Sequence, residues 1–166
     1  LDAVASRWNV PVSELRTEPS MVVHAASGRS YHVVFNPPTN AQIQNASQCG
    51  VSMREGQACP RSGPKRSEEN FIKRIVAGPG DTLSVRGGKP VRNGKIDPQD
   101  YETEPCGTSA VCNLPVPIKV PAGQYYMMGD NRGESDDSRF WGPVPKEWII
   151  GDAFATYWPP DRIGFL

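Results

Sequence analysis

The chain has 166 residues, with 18 basic and 18 acidic side chains and no formal net charge, which excludes the basic footprint of a nucleic-acid-binding domain. Seventeen prolines and sixteen glycines, with little 3.6-residue periodicity, exclude a helical bundle and point to an all-β, loop-rich protein. The length suits one domain with a real hydrophobic interior, and no apolar run is long enough to span a bilayer as a helix.

In chain order, residues 1–27 are mixed, with a short helical turn predicted around Ala3 to Trp8. Tyr31 to Phe35 reads as a strand. Residues 36–70 form a long polar insertion rich in Pro, Ser and Gly, charged toward its end at Lys65, Arg66, Glu68 and Glu69. Phe71 to Ala77 is an apolar strand holding one lysine. Period-two alternation puts Phe71, Lys73, Ile75 and Ala77 on one face and Ile72, Arg74 and Val76 on the other. A Gly78-Pro79-Gly80 turn leads to a strand from Thr82 to Arg86. Gly87-Gly88 and Asn93-Gly94 are hairpin turn signals around a short strand, Pro90 to Arg92. Residues 97–117 read as a second irregular insertion. Ile118 to Val120, Gln124 to Met128 and Trp148 to Trp158 complete the strands. The order predicts a single domain, 1–166, built as a partly closed antiparallel β-barrel.

Four cysteines fall into two local pairs, Cys49 with Cys59 and Cys106 with Cys112, each inside one of the insertions. Four cysteines allow three connectivities, and the local pairing is favoured because each bond closes a short, turn-rich loop. Such disulfides fit an oxidising, extracytoplasmic compartment. Free thiols are one alternative. A zinc site is another, although neither pair has Cys-x-x-Cys spacing and His24 and His32 are remote in sequence.

The chemistry concentrates in two segments. Met127 to Pro145 is dense in Asp, Arg, Ser and Gly behind a short aromatic strand. It reads either as a polar surface turn or as a structured loop that holds catalytic groups on a rigid scaffold. In the other segment, Lys73 or Arg74 must share a face with large apolar side chains. Either the lysine amine snorkels to water, or it is desolvated until it can be neutral near pH 7 and accept a proton.

Together the two segments resemble the motifs of the bacterial type I signal peptidases, membrane-tethered proteases with a serine-lysine dyad. Residues 73–81, Lys-Arg-Ile-Val-Ala-Gly-Pro-Gly-Asp, resemble the family's lysine box. Its last box, Gly-Asp-Asn-Arg-x-x-Ser-x-Asp-Ser-Arg, is matched at every fixed position from Gly129 to Arg139. The resemblance covers roughly the last 95 residues and implies a signal-peptidase-like barrel. It implies that Lys73 is the general base, that Ser135 orients its amine, and that Asp137 and Arg139 form a supporting ion pair. Gly129 and Asp130 would shape the turn that brings the loop to the lysine.

The nucleophile implied by the resemblance is a serine followed by methionine. Ser20-Met21 is such a pair upstream of Lys73, and Gly28 follows at the family's eight-residue offset. Ser13 is a second candidate. Ser52-Met53 has the same dipeptide but lies in the first cysteine-flanked loop. The region departs from the family pattern: Val23 and His24 stand where Pro and Thr are usual, and Glu18 stands beside the expected oxyanion hole. The strand ending in Phe35 also follows Ser20 more closely than in relatives, so residues 1–31 read as a divergent or shortened nucleophile region.

The resemblance implies a serine endopeptidase that removes signal peptides from exported preproteins, without metal, nucleotide or other cofactor. Its partners would be those signal peptides and a phospholipid membrane surface, and not nucleic acid. The substrate, with small side chains at the first and third positions before the cleaved bond, would add as a strand along shallow apolar pockets. The catalytic domain would sit on the extracytoplasmic side of the cell membrane, with an anchor upstream of Leu1. Trp8 is the candidate for membrane contact, while Phe140, Trp141, Trp148, Tyr157 and Trp158 read mainly as core. Two other classes stand beside this one: a catalytically impaired accessory or binding domain on the same scaffold, and a self-cleaving repressor with the same dyad.

Overall fold

The computed structural model describes residues 15–18, 21–24, 32–39, 49–97, 104–153, 155–156 and 164–165. The helical turn predicted near Ala3 to Trp8, and the residues Tyr157 and Trp158, lie outside the described residues. Thirteen strands are described: β1 Leu15–Glu18, β2 Met21–His24, β3 His32–Phe35, β4 Phe71–Ala77, β5 Thr82–Arg86, β6 Lys89–Arg92, β7 Lys95–Ile96, β8 Leu114–Lys119, β9 Gln124–Met128, β10 Val144–Pro145, β11 Ile149–Ala153, β12 Ala155–Thr156 and β13 Gly164–Phe165. The two larger sheets run β10-β9-β4-β3-β11 and β7-β6-β5-β8, and β1-β2 and β12-β13 are two-stranded. Every described strand pairing is antiparallel, so the all-β reading holds. No helix among the described residues is long and apolar enough to cross a membrane.

The core has two compartments, and β4 and β9 wall both. Val76, Ala77, Tyr126 and Met128 pack with Leu83, Val85, Leu114 and Ile118 of the four-stranded sheet. On the other side Ile75, Tyr125 and Met127 pack with Val33, Phe35, Trp141 and Val144, and Phe71, Phe140, Trp148 and Ile149 pack at the margin. Side chains alternate across a strand, so Tyr125 and Tyr126 go to opposite compartments.

On β4 that alternation is interrupted, and the interruption corrects the predicted faces. Arg74 pairs with Met128 and Ile75 with Met127, but Ala77, not Val76, pairs with Tyr126. Val76 is the extra residue of a β-bulge, which re-aims the side chains beyond it. Ala77 therefore leaves the face of Phe71 and Ile75 and joins Val76 in the first compartment. The chain then turns at Gly80, with φ 84°, and enters the second sheet.

Three more expectations are corrected. β8 begins at Leu114, within the predicted second insertion, and ends at Lys119. It is an edge strand, where Pro115 and Pro117 withhold no ladder donor from a neighbour. The Val116 N–H between them donates to Gly56 O at 2.9 Å. Ser138–Trp141 is a short helix within the predicted loop, started by Asp137, whose side chain accepts from Arg139 N. The strand predicted from Trp148 starts one residue later, after a 3₁₀ turn at Lys146–Trp148, and over the described residues runs as β11 and β12. The β1–β2 hairpin was not legible in its mixed composition. The Asn93-Gly94 turn, with φ 52° and 79°, is the predicted hairpin type.

Both disulfides take the local pairing, Cys49–Cys59 and Cys106–Cys112. No cysteine is free, so the thiols that the zinc and free-thiol readings require are absent.

Candidate active site

Lys73 lies mid-strand on β4, directly opposite Val33 of β3. Its Nζ donates to Ser135 Oγ at 2.9 Å and stands 5.9 Å from the Phe71 ring centroid. Burial pushes the amine below the ordinary lysine pKa, outweighing the opposite pull of Asp137, Asp136 and Asp130; Arg139 adds to the lowering. The snorkelling alternative is thus corrected: the amine ends on a hydroxyl of the loop. A neutral amine has a lone pair, and a hydroxyl neighbour orients it without adding charge.

The loop from Gly129 to Arg139 is held by bonds between its own members. Asp137 and Arg139 form a fully buried pair, with Arg139 Nε on Oδ1 and Nη2 on Oδ2, both at 2.8 Å. The same carboxylate accepts from Gly129 N at 3.0 Å and Arg139 N at 3.1 Å. Four donors therefore satisfy a charge that would otherwise be costly to bury. Arg132, also buried, donates Nε to Gly129 O at 2.9 Å and Nη1 to Gly88 O at 2.6 Å. Ser135 N bonds Asn131 O at 3.0 Å, and Ser138 Oγ accepts from Met127 N at 3.0 Å. Gly129 admits no side chain. A Cβ there would overlap the Ser135 hydroxyl and come within 3.4 Å of Lys73 Nζ.

Asp130 faces away from that cluster. Arg74 grips it from β4, Nε to Oδ1 at 2.9 Å and Nη2 to Oδ2 at 2.8 Å, and His32 Nε2 lies 3.0 Å from Oδ2. Burial works against the carboxylate, but the hydrogen bonds and charge of Arg74 and His32 prevail and hold it well below the usual range. Asp136 is the opposite case. Burial and the neighbouring Asp137 push its carboxyl up to about 6, against the pull of Lys73.

The two insertions brace the loop from outside. Cys59 N donates to Arg139 O at 3.0 Å, and Arg139 Nη1 donates to Val111 O, inside the Cys106–Cys112 loop, at 3.4 Å. Gly142, with φ 88°, lies so close to Arg61 and Ser62 that a Cβ would stand 2.5 Å from Ser62 N.

Lys73, Gly129, Asp130, Ser135, Asp137 and Arg139 are thus brought together. Ser20, Ser13 and Gly28 lie outside the described residues. Ser20 falls in sequence between β1 and β2, where Glu18 pairs with Met21. Ser52 is exposed within the first disulfide loop. Sequence reasoning assigned no role to Arg74, Arg132, Asp136 or His32. Arg132 occupies a fixed position of the last box and Arg74 follows the lysine, so both were open to notice. His32 was not, because its partner is 98 residues away.

The family model described as "Signal peptidase, peptidase S26" matches residues 21–158. The match starts one residue after Ser20. The signal peptidase I of Leptolyngbya laminosa is 37% identical over 137 residues, covering 82% of this chain and 60% of that protein. A probable signal peptidase I-2 of Synechocystis is 41% identical over 102 residues, covering 61% of this chain and 44% of that protein. Thylakoidal processing peptidase 1, chloroplastic, of Arabidopsis thaliana is 41% identical over 97 residues, covering 58% of this chain and 27% of its own length. The matched region thus spans 60% or less of each of these relatives.

Proposed function

The chain belongs to the signal peptidase, peptidase S26 family, and from that premise we propose that it is a serine endopeptidase removing N-terminal signal peptides from exported preproteins. The observation that carries the proposal is the bond from a desolvated Lys73 amine to Ser135 Oγ. Such an amine, in its neutral form, takes the proton of a serine hydroxyl as that oxygen attacks the scissile carbonyl. It then returns the proton to the leaving amine. Ser20 is the serine assigned to the attack and Ser13 the second candidate. Asp137 and Arg139 hold the loop, Gly129 leaves room for the contact, and Asp130 ties the loop's start to β4. The tetrahedral intermediate needs preorganised donors, worth several kcal/mol in such sites.

The substrate in this reading is an extended peptide whose small side chains enter shallow apolar pockets while its backbone adds to a strand edge. The apolar part of the signal stays in the bilayer, so the domain works at a phospholipid surface on the extracytoplasmic side, below an upstream anchor. No metal or other cofactor enters the chemistry.

The test is cleavage of a preprotein in detergent by the parent and by Ser20→Ala, Ser13→Ala and Lys73→Ala. Loss of cleavage in Lys73→Ala and Ser20→Ala is expected. Full activity in Lys73→Ala sinks the dyad, and loss in Ser13→Ala alone reassigns the nucleophile. A second reading, an accessory domain that binds without cleaving, is favoured by Glu18, Val23 and His24 at positions where the family pattern differs. A parent that binds signal peptide without cutting it selects that reading.

A further inference from the structure

His32 belongs to neither box, yet its ring reaches the loop that carries Ser135. In the β3–β4 register His32 stands opposite Arg74, and directly opposed residues share a face of the sheet. Lys73, one residue from Arg74, points to the other face. Asp130 leaves the end of β9 and meets both side chains on theirs. Arg74 holds both carboxylate oxygens, and His32 Nε2 adds a contact to Oδ2 at 3.0 Å. His32 and Asp130 keep only 14% and 16% of their side-chain surface exposed, so water competes little for that contact. Next to Asp130 is Gly129, the residue on which Ser135 Oγ and Lys73 Nζ close in.

We infer that His32 is a positioning residue for the lysine base: its Nε2 bond to Asp130 anchors the start of the loop to β3 as well as β4, and so keeps Ser135 Oγ within bonding distance of Lys73 Nζ. Arg74 alone ties the carboxylate to one strand, and its two parallel bonds still let the carboxylate hinge about the line of its two oxygens. A bond from the next strand removes that freedom. The atom matters as much as the residue. Nε2 also lies 3.4 Å from Arg74 Nη2, which can only donate, so a protonated Nε2 serves Asp130 and cannot serve Arg74.

The inference rests on Lys73 acting as the base, so its test includes a reading independent of turnover. In His32→Gln the amide nitrogen extends to the place of Nε2, whereas in His32→Asn it falls one methylene short. The Lys73 amine is titrated by NMR in full-length parent and variants carrying labelled lysine, and kcat and KM are measured on a preprotein in detergent. We expect His32→Gln to keep kcat within about two-fold and the Lys73 midpoint in place. His32→Asn is expected to lower kcat about ten-fold with little change in KM, and to raise the Lys73 midpoint as the amine loses its hydroxyl partner and rehydrates. A His32→Asn protein matching the parent in midpoint overturns the inference. So does a folded His32→Gln as impaired as His32→Asn, because packing rather than Nε2 is then what counts. Should His32→Asn fail to fold, a displaced midpoint in His32→Gln still overturns it. If the parent cuts no preprotein, the proposed function fails while the midpoints still decide the role of His32.

Discussion

At the residue scale the site is a set of opposed ionisations around one amine. Burial keeps Lys73 below the ordinary lysine value while three carboxylates pull it back. The proposed base works when neutral, so activity is expected to rise with pH through the lysine's folded value, earlier than an ordinary lysine permits. Ser135→Ala removes the orienting hydroxyl; kcat is expected to fall at least about ten-fold with KM little changed, measured by steady-state cleavage. Asp136 gives a test of sign. Its charge favours protonated Lys73, so Asp136→Asn is expected to lower the lysine's value and move the rising limb of kcat/KM to lower pH. The stability consequence also has a sign. Asp136 rises from 3.8 to about 6 on folding, so across that interval the folded state binds more protons, and stability falls as pH rises. The parent therefore carries a penalty above pH 6 that the Asn variant lacks, and urea unfolding on both sides of that pH reads it. Lys73, Ser135, Asp137 and Arg139 were legible because they occupy fixed positions of two boxes. Asp136 sits at an open position of the last box, and its value comes from burial that no spacing reveals.

At the element scale, legibility followed locality. The strands Phe71–Ala77 and Gln124–Met128 and the Asn93-Gly94 turn depend on adjacent residues, and all were read. The bulge at Val76 depends on which residue of β9 stands opposite, a tertiary fact. The helix Ser138–Trp141 depends on Asp137 turning back to cap it, and in sequence Asp137 looks like one more loop acid. β8 was obscured by its prolines, which only an edge strand tolerates. Both disulfide loops grip Arg139, one through its carbonyl and one through its guanidinium. Replacing either cysteine pair with serines is expected to cost about 2–3 kcal/mol by loop-closure entropy, read by urea unfolding. In folded protein it is also expected to lower kcat, because Arg139 loses an external support. Unfolding and cleavage measured on the same preparations separate the two effects.

At the scale of the whole molecule, β4 and β9 stand between two apolar compartments, and the bulge divides the labour along β4. Phe71 and Ile75 border the compartment on the lysine's side, whereas Val76 and Ala77 fasten the strand into the other. Phe71→Ala is therefore expected to let water reach the amine and shift the activity profile to higher pH, while the plateau kcat stays within about two-fold. Cavities cut at Val76 or Leu83 act on the strand's anchorage instead. Alternation already separates the two faces of β4, and the bulge adds Ala77 to the anchoring side, so the lysine's apolar neighbours and the strand's anchorage draw on different residues. The acidity of the proposed base is then expected to drift with its apolar neighbours while its position stays put, so substitutions in one compartment alone would retune the site to a new ambient pH.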